Sequence, residues 1–168
     1  MATVTLTAAL DVNGDLTVAA SDVLACGTYQ VNLAGNLHNH SGSASAWRTG
    51  NNTFVFDGTT TIDNSSNFYN FTIAAGSTMH LTSGTTEQVS NTFTAIGTLG
   101  NTITLDTTTP DSTANLTIAK RGGVDYITAT DINSGSGTTV YHTNSTIDNC
   151  YNWCPNLSAT RRSIDSVF

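Results

Sequence analysis

The sequence predicts an all-β fold, a right-handed single-stranded parallel β-helix of about six coils, and three observations lead there. The chain of 168 residues holds 32 threonines against a single Glu (Glu87) and a single Lys (Lys120). Thr is β-branched and suits a pleated surface, while the strong helix formers are nearly missing. A short phrase, a small polar residue before an apolar one and then usually Thr, returns in GDLTV, GNLHN, YNFTI, NTFTA, GNTITL and ANLTI. Its apolar anchors Leu16, Leu37, Phe71, Phe93 and Leu116 are 21, 34, 22 and 23 residues apart, with Phe56 inside the longer gap. A recurrence near 20 residues is the period of one coil in a stacked solenoid. Finally, charged residues are only 10% and thin along the whole length, yet the regular patterning opposes disorder. The rival architecture is a β-sandwich or jelly roll, which also uses many short strands between turn signals.

In chain order, TVTLT (3–7) alternates Thr with Val and Leu, and DLTV (15–18) follows an Asn-Gly-Asp turn. YQVNL (29–33), NTFVF (52–56) and TTTI (59–62) alternate polar and apolar positions, the last two separated by Asp-Gly. FYNFTI (68–73) passes through an Ala-Ala-Gly-Ser turn into TMHL (78–81). EQVSNTF (87–93), NTITL (101–105), ANLTI (114–118), DYITA (125–129) and TTVYH (138–142) complete the series. Gly, Asn, Asp and Ser punctuate these runs, and no window carries helical periodicity. Only Pro110 and Pro155 interrupt strand pairing. The Gly/Ser/Ala stretch 41–50 reads as a loop leaving the coil, and Trp153 as a cap on the last one. The body is expected over 1–154 and a tail over 155–168.

The run from FVFDGTTTIDNSSNFYNFTI through SNTFTAIGTLGNTITL to DYITATDINSG and NSTIDNCYNW resembles the coil repeat of parallel β-helix proteins of the pectin-lyase-like type, found on phage virions and bacterial surfaces. In that pattern a coil ends in an Asn-rich turn followed by Trp. The resemblance covers roughly residues 14 to 153. It implies a passive role on a virion surface or outside the cell, although the same fold also carries polysaccharide lyases and hydrolases.

The formal charge is −7, and the cations are Arg48, Lys120, Arg121, Arg161 and Arg162. No basic stripe exists to displace phosphate counterions, so neither nucleic acid nor an anionic membrane is an expected partner. The opening MATVTLTAAL has no basic start or long apolar run and does not read as a secretory leader. No stretch approaches the ~20 apolar residues of a membrane span.

Chemistry-bearing residues are few. Asp57, Asp63, Asp106, Asp111, Asp131 and Asp148 each flank Gly, Asn, Ser or Thr, where an Asp ordinarily satisfies turn N–H groups. No paired-Asp motif suggests a hydrolase, so no catalytic residue is expected. DVNGD (11–15) and DINSG (131–135) open like calcium loops but lack the closing Glu, which makes them ordinary turns. His38 and His40 are two apart and share one face of a strand, where His80 or His142 from another coil could join them; without an evident third ligand they read as turn histidines, with no metal or cofactor expected. Cys26, Cys150 and Cys154 read as structural, buried or bridged, since two Cys four apart make a poor zinc site. Trp47 beside Arg48 is either a lid over the core or a partner contact. Arg161 and Arg162 put positive charge on the tail of an acidic body, suited to carboxylates of a neighbour.

The functional expectation is a non-enzymatic structural protein of a surface assembly, first of all a phage virion protein: a head decoration subunit or a short fibre. Its expected partners are copies of itself, with a trimer favoured, and capsid or other surface proteins. The alternatives are a secreted bacterial adhesin or filament module, and a carbohydrate-binding or carbohydrate-active β-helix.

Overall fold

A computed structural model describes residues 1–47 and 50–156. The strands are β1 (Thr3–Thr5), β2 (Leu10–Val12), β3 (Leu16–Val18), β4 (Val23–Ala25), β5 (Gln30–Leu33), β6 (Leu37–Asn39), β7 (Thr53–Phe56), β8 (Thr59–Ile62), β9 (Ser66–Phe68) and β10 (Asn70–Ile73). They continue with β11 (Thr78–Leu81), β12 (Thr86–Ile96), β13 (Ile103–Thr107), β14 (Ala114–Asp125), β15 (Ile127–Thr130), β16 (Ile132–Asn133), β17 (Val140–His142), β18 (Thr146–Asp148) and β19 (Trp153–Pro155). No helix occurs among the described residues.

Every pairing between these strands is parallel. A sandwich needs antiparallel neighbours, so the chain is a parallel β-solenoid. One wall is a seven-stranded sheet in the order β18-β15-β13-β11-β8-β6-β3, one strand per coil. The solenoid therefore has about seven turns where the sequence suggested about six. A second wall stacks β2, β5, β7 and β10 against the later parts of β12 and β14, and a third stacks β9 against the earlier parts of β12 and β14, then β16. The long strands β12 and β14 turn a corner and serve both walls. The strands not anticipated (β2, β4, β9, β16, β18, β19) are two or three residues long, too short for alternation to register.

Burial alternates along each strand, as in the intermediate–buried–intermediate–buried pattern of β7, β10 and β11. Outward positions repeat from coil to coil. Thr59, Thr78, Thr104, Thr128 and Thr146 form one column on the seven-stranded wall, each beside the next. Stacked β-branched side chains at ~4.8 Å spacing pack well and explain why Thr dominates the composition. Inward positions form a ladder of rings: Trp47, Phe54, Phe56, Phe68, Phe71, Phe93 and Trp153 are linked by ring contacts. Burying each such side chain contributes roughly 2 kcal/mol.

Corners need left-handed backbone, which Asn and Asp tolerate better than most residues. Asp131, Asn144, Asn149 and Asn152 have φ of 61°, 49°, 47° and 66°. Gly58, between β7 and β8, lies so close to the corner below that a Cβ would sit 2.2 Å from the Ala34 carbonyl oxygen. Within the Gly/Ser/Ala stretch expected to leave the coil, residues 44–47 instead run along the third wall: Ala46 accepts from the Leu24 N–H at 2.9 Å and Ala44 from the Asn67 N–H at 2.6 Å. It takes the place of a strand and lays Trp47 inward.

Of the repeat anchors, Leu16 pairs with Leu37 and Phe71 with Phe93, in register. Leu116 does not continue the series; it pairs with Glu87 on the third wall. The irregular 34-residue gap arises because Leu37 and Phe71 lie on different walls.

Candidate functional site

The densest grouping of chemistry-bearing side chains lies on the outer face where β6 meets the end of β8. Leu37 pairs with Ile62, so the residues that follow each, His38 and Asp63, emerge side by side one coil apart. His40 lies two positions beyond His38 and on the same face. His38 Nδ1 is 2.8 Å and His40 Nε2 3.0 Å from the same atom, Asp63 Oδ2. The two imidazole centroids are 5.7 Å apart.

The carboxylate is itself held. Asp63 Oδ1 accepts from the Asn39 backbone N–H at 3.0 Å and from Asn64 Nδ2 at 3.2 Å. On the far side, His38 Nε2 lies 3.7 Å from Asp15 Oδ2, and Asp15 Oδ1 accepts the Asn36 N–H at 2.7 Å. The hydrogen bond with Asp63 raises the His38 pKa above its ordinary value, with burial opposing and the Asp63 and Asp15 charges adding to it. For Asp63, burial acts upward but is outweighed by bonds from His38, the Asn39 N–H and His40, so its pKa is lowered. Farther along the same wall His80 and Asp106 are neighbours in register and joined by a hydrogen bond.

A second feature is the N-terminal end of the solenoid. Among the described residues, no strand lies beneath the edges of β1, β2 and β3. Val4 is 61% exposed, and with Leu6, Leu10, Leu16 and Leu24 it lines an apolar concavity of about 350 Å³.

Trp47 is wholly buried, its ring against Phe54 and Phe68 at 5.9 and 5.8 Å. It is the lid over the core, with no surface left for a partner. Asn52 donates to the Trp47 carbonyl at 2.7 Å and fixes the segment. Arg48, Arg161 and Arg162 lie outside the described residues. Trp153 pairs through β19 with Val140, and its ring meets Phe93 edge-on at 6.5 Å. All three cysteines are free thiols, so Cys150 and Cys154 are not bridged. In the two calcium-like turns, Asp15 holds the Asn36 N–H while Asp131 accepts from the Asp111 N–H at 2.9 Å and from Asn149.

Glu87, the single glutamate, was not singled out from sequence, yet it is fully buried on the third wall. Oε1 accepts from Thr85 Oγ1 at 3.1 Å and Oε2 has no partner. Desolvation pushes its pKa up to about 8. The sequence signal for it was its position, alternating with Val89 along an otherwise inward-facing run.

The walls and their stacked columns place the chain in the class of all-β parallel solenoids, at the level of architecture. Comparison with protein-family models, curated proteins and solved structures finds no match.

Proposed function

We propose that this chain is a non-catalytic structural subunit of a surface assembly, in the first place of a phage virion, as a head decoration subunit or a short fibre. The observation that carries this reading is the open N-terminal end. Edges of β1, β2 and β3 that no described strand pairs, beside the apolar Val4, Leu6, Leu10 and Leu16, form a surface suited to receiving another chain or a further coil. Turn carboxylates add support, since Asp15, Asp22, Asp63, Asp125 and Asp131 each use an oxygen to hold a backbone N–H. A secreted adhesin or filament module is the second reading, favoured by the same edges, which would accept a further coil.

The subunit associates with itself, a trimer being favoured, and the tail bearing Arg161 and Arg162 reaches an acidic neighbour. Size-exclusion chromatography with light scattering is expected to give a discrete oligomer that Val4→Asp weakens. A polysaccharide panel is expected to release no reducing ends or unsaturated products. A strict monomer that shows turnover abolished by one Asp→Asn change would overturn the reading.

A further inference from the structure

We propose that His38, His40 and Asp63 form a binding site for a divalent transition metal of the zinc class, clasping the second and third coils together. Two imidazole nitrogens gather on one carboxylate oxygen, Asp63 Oδ2, and the ligand atoms of the three side chains lie within 4.8 Å of one another. Three lone-pair-bearing atoms converge only if something positive lies between them, either shared protons or a cation. A tetrahedral zinc ion with bonds of ~2.0–2.1 Å places its ligand atoms about 3.3 Å apart. The two N–O separations here, 2.8 and 3.0 Å, need only a small expansion to meet that. His40 is exposed and His38 and Asp63 half-buried, so the side chains have room to make it.

The surroundings resemble those of a metal site rather than a chance ion pair. A ligating histidine usually gives its other nitrogen to a carboxylate, which fixes the ring. His38 Nε2 has Asp15 at 3.7 Å in that place, and Asp15 is anchored by the Asn36 N–H. The ligating carboxylate is oriented through its other oxygen by Asn39 and Asn64. The donor set of two nitrogens and one oxygen selects Zn²⁺, Cu²⁺ or Ni²⁺ over Ca²⁺ or Mg²⁺, which prefer oxygen alone. Three protein ligands leave a fourth position, and His40 borders an open groove of about 460 Å³ lined also by Asn39, Ser43 and Asn64.

The test is calorimetric titration of the full chain with Zn²⁺, in a Cys154→Ser background so that the exposed thiol does not compete. One site of micromolar affinity is expected, together with a rise in melting temperature that grows with zinc concentration. His40→Ala, at an exposed position that folding does not need, is expected to weaken binding by about 100-fold, and Asp15→Asn by about 10-fold. His80→Ala is expected to change nothing. Electron paramagnetic resonance of the Cu²⁺ form is expected to show coupling to two imidazole nitrogens in the parent and to one in His40→Ala. Absence of saturable binding at millimolar zinc overturns the proposal, as does binding untouched by His40→Ala or abolished by His80→Ala.

Discussion

Phe71 lies in parallel register directly beside Phe93 of the next coil, their ring centroids 5.8 Å apart. Phe54 occupies the same position one coil earlier. This column runs along the axis of the solenoid, and it joins inside the core coils that backbone and outward side-chain hydrogen bonds hold along the walls. Each ring covers the one before it, so stability in the middle of the rod is set by nearest-neighbour packing.

Phe71 contacts Phe56, Phe68 and Phe93 and is fully buried. Phe71→Ala is expected to cost about 3–5 kcal/mol, through lost burial and the cavity left between rigid walls. Phe71→Leu is expected to cost under half of that. Chemical denaturation of the two variants against the parent measures both, and equal costs would mean that the column does not carry the load described.

Glu87 makes the rod pH-sensitive. Its pKa of about 8 in the fold stands above the ordinary 4.5, chiefly through burial, with the Thr85 and Ser66 bonds opposing and the Asp63 charge reinforcing. Folding therefore favours the protonated form. The stability it confers is full below about pH 4.5, declines as pH rises, and is lost once pH passes the folded value near 8. Melting temperature is expected to fall by roughly 10 °C more in the parent than in Glu87→Gln between about pH 5 and pH 9. Parallel melting curves across that range would refute it.

The three thiols are expected to differ sharply in reactivity. Cys26 is fully buried, and desolvation pushes its thiol up to about 11 despite the Asn52 bond. Cys150 is raised too, mainly by desolvation, and its Sγ is occupied by the Ile132 N–H and the Asp148 carbonyl. Cys154 is exposed. Titration with an aromatic disulfide reagent at mildly alkaline pH is expected to find one fast thiol in the native protein and three after unfolding. A count of one after unfolding without reductant would instead reveal a Cys150–Cys154 bridge.

Much of the architecture was legible in the sequence because it is local. Alternation along β7, β10 and β11 needs only the two-residue period of a strand, and the positions of Gly58 and Asn149 follow from what corners demand of the backbone. The pairing of Phe71 with Phe93 also followed, since their phrases are near copies. What only the tertiary structure decided is which residues meet across coils, because coil length varies. Along one wall Val31 comes 21 residues after Leu10, Phe54 23 after Val31, Phe71 17 after Phe54, and Phe93 22 after Phe71. A difference of one residue turns a side chain to the opposite face. The coil after Phe93 is longer still, so Phe93 meets Arg121 and Leu116 falls beside Glu87 on the third wall, and Trp47 could be a lid or a contact until the wall closed over it. Varying coil length is also why Asp63, one of many turn carboxylates in the sequence, became the partner of His38 and His40. Leu37 and Ile62 pair through their backbones, and the residue after each is carried outward to the same place.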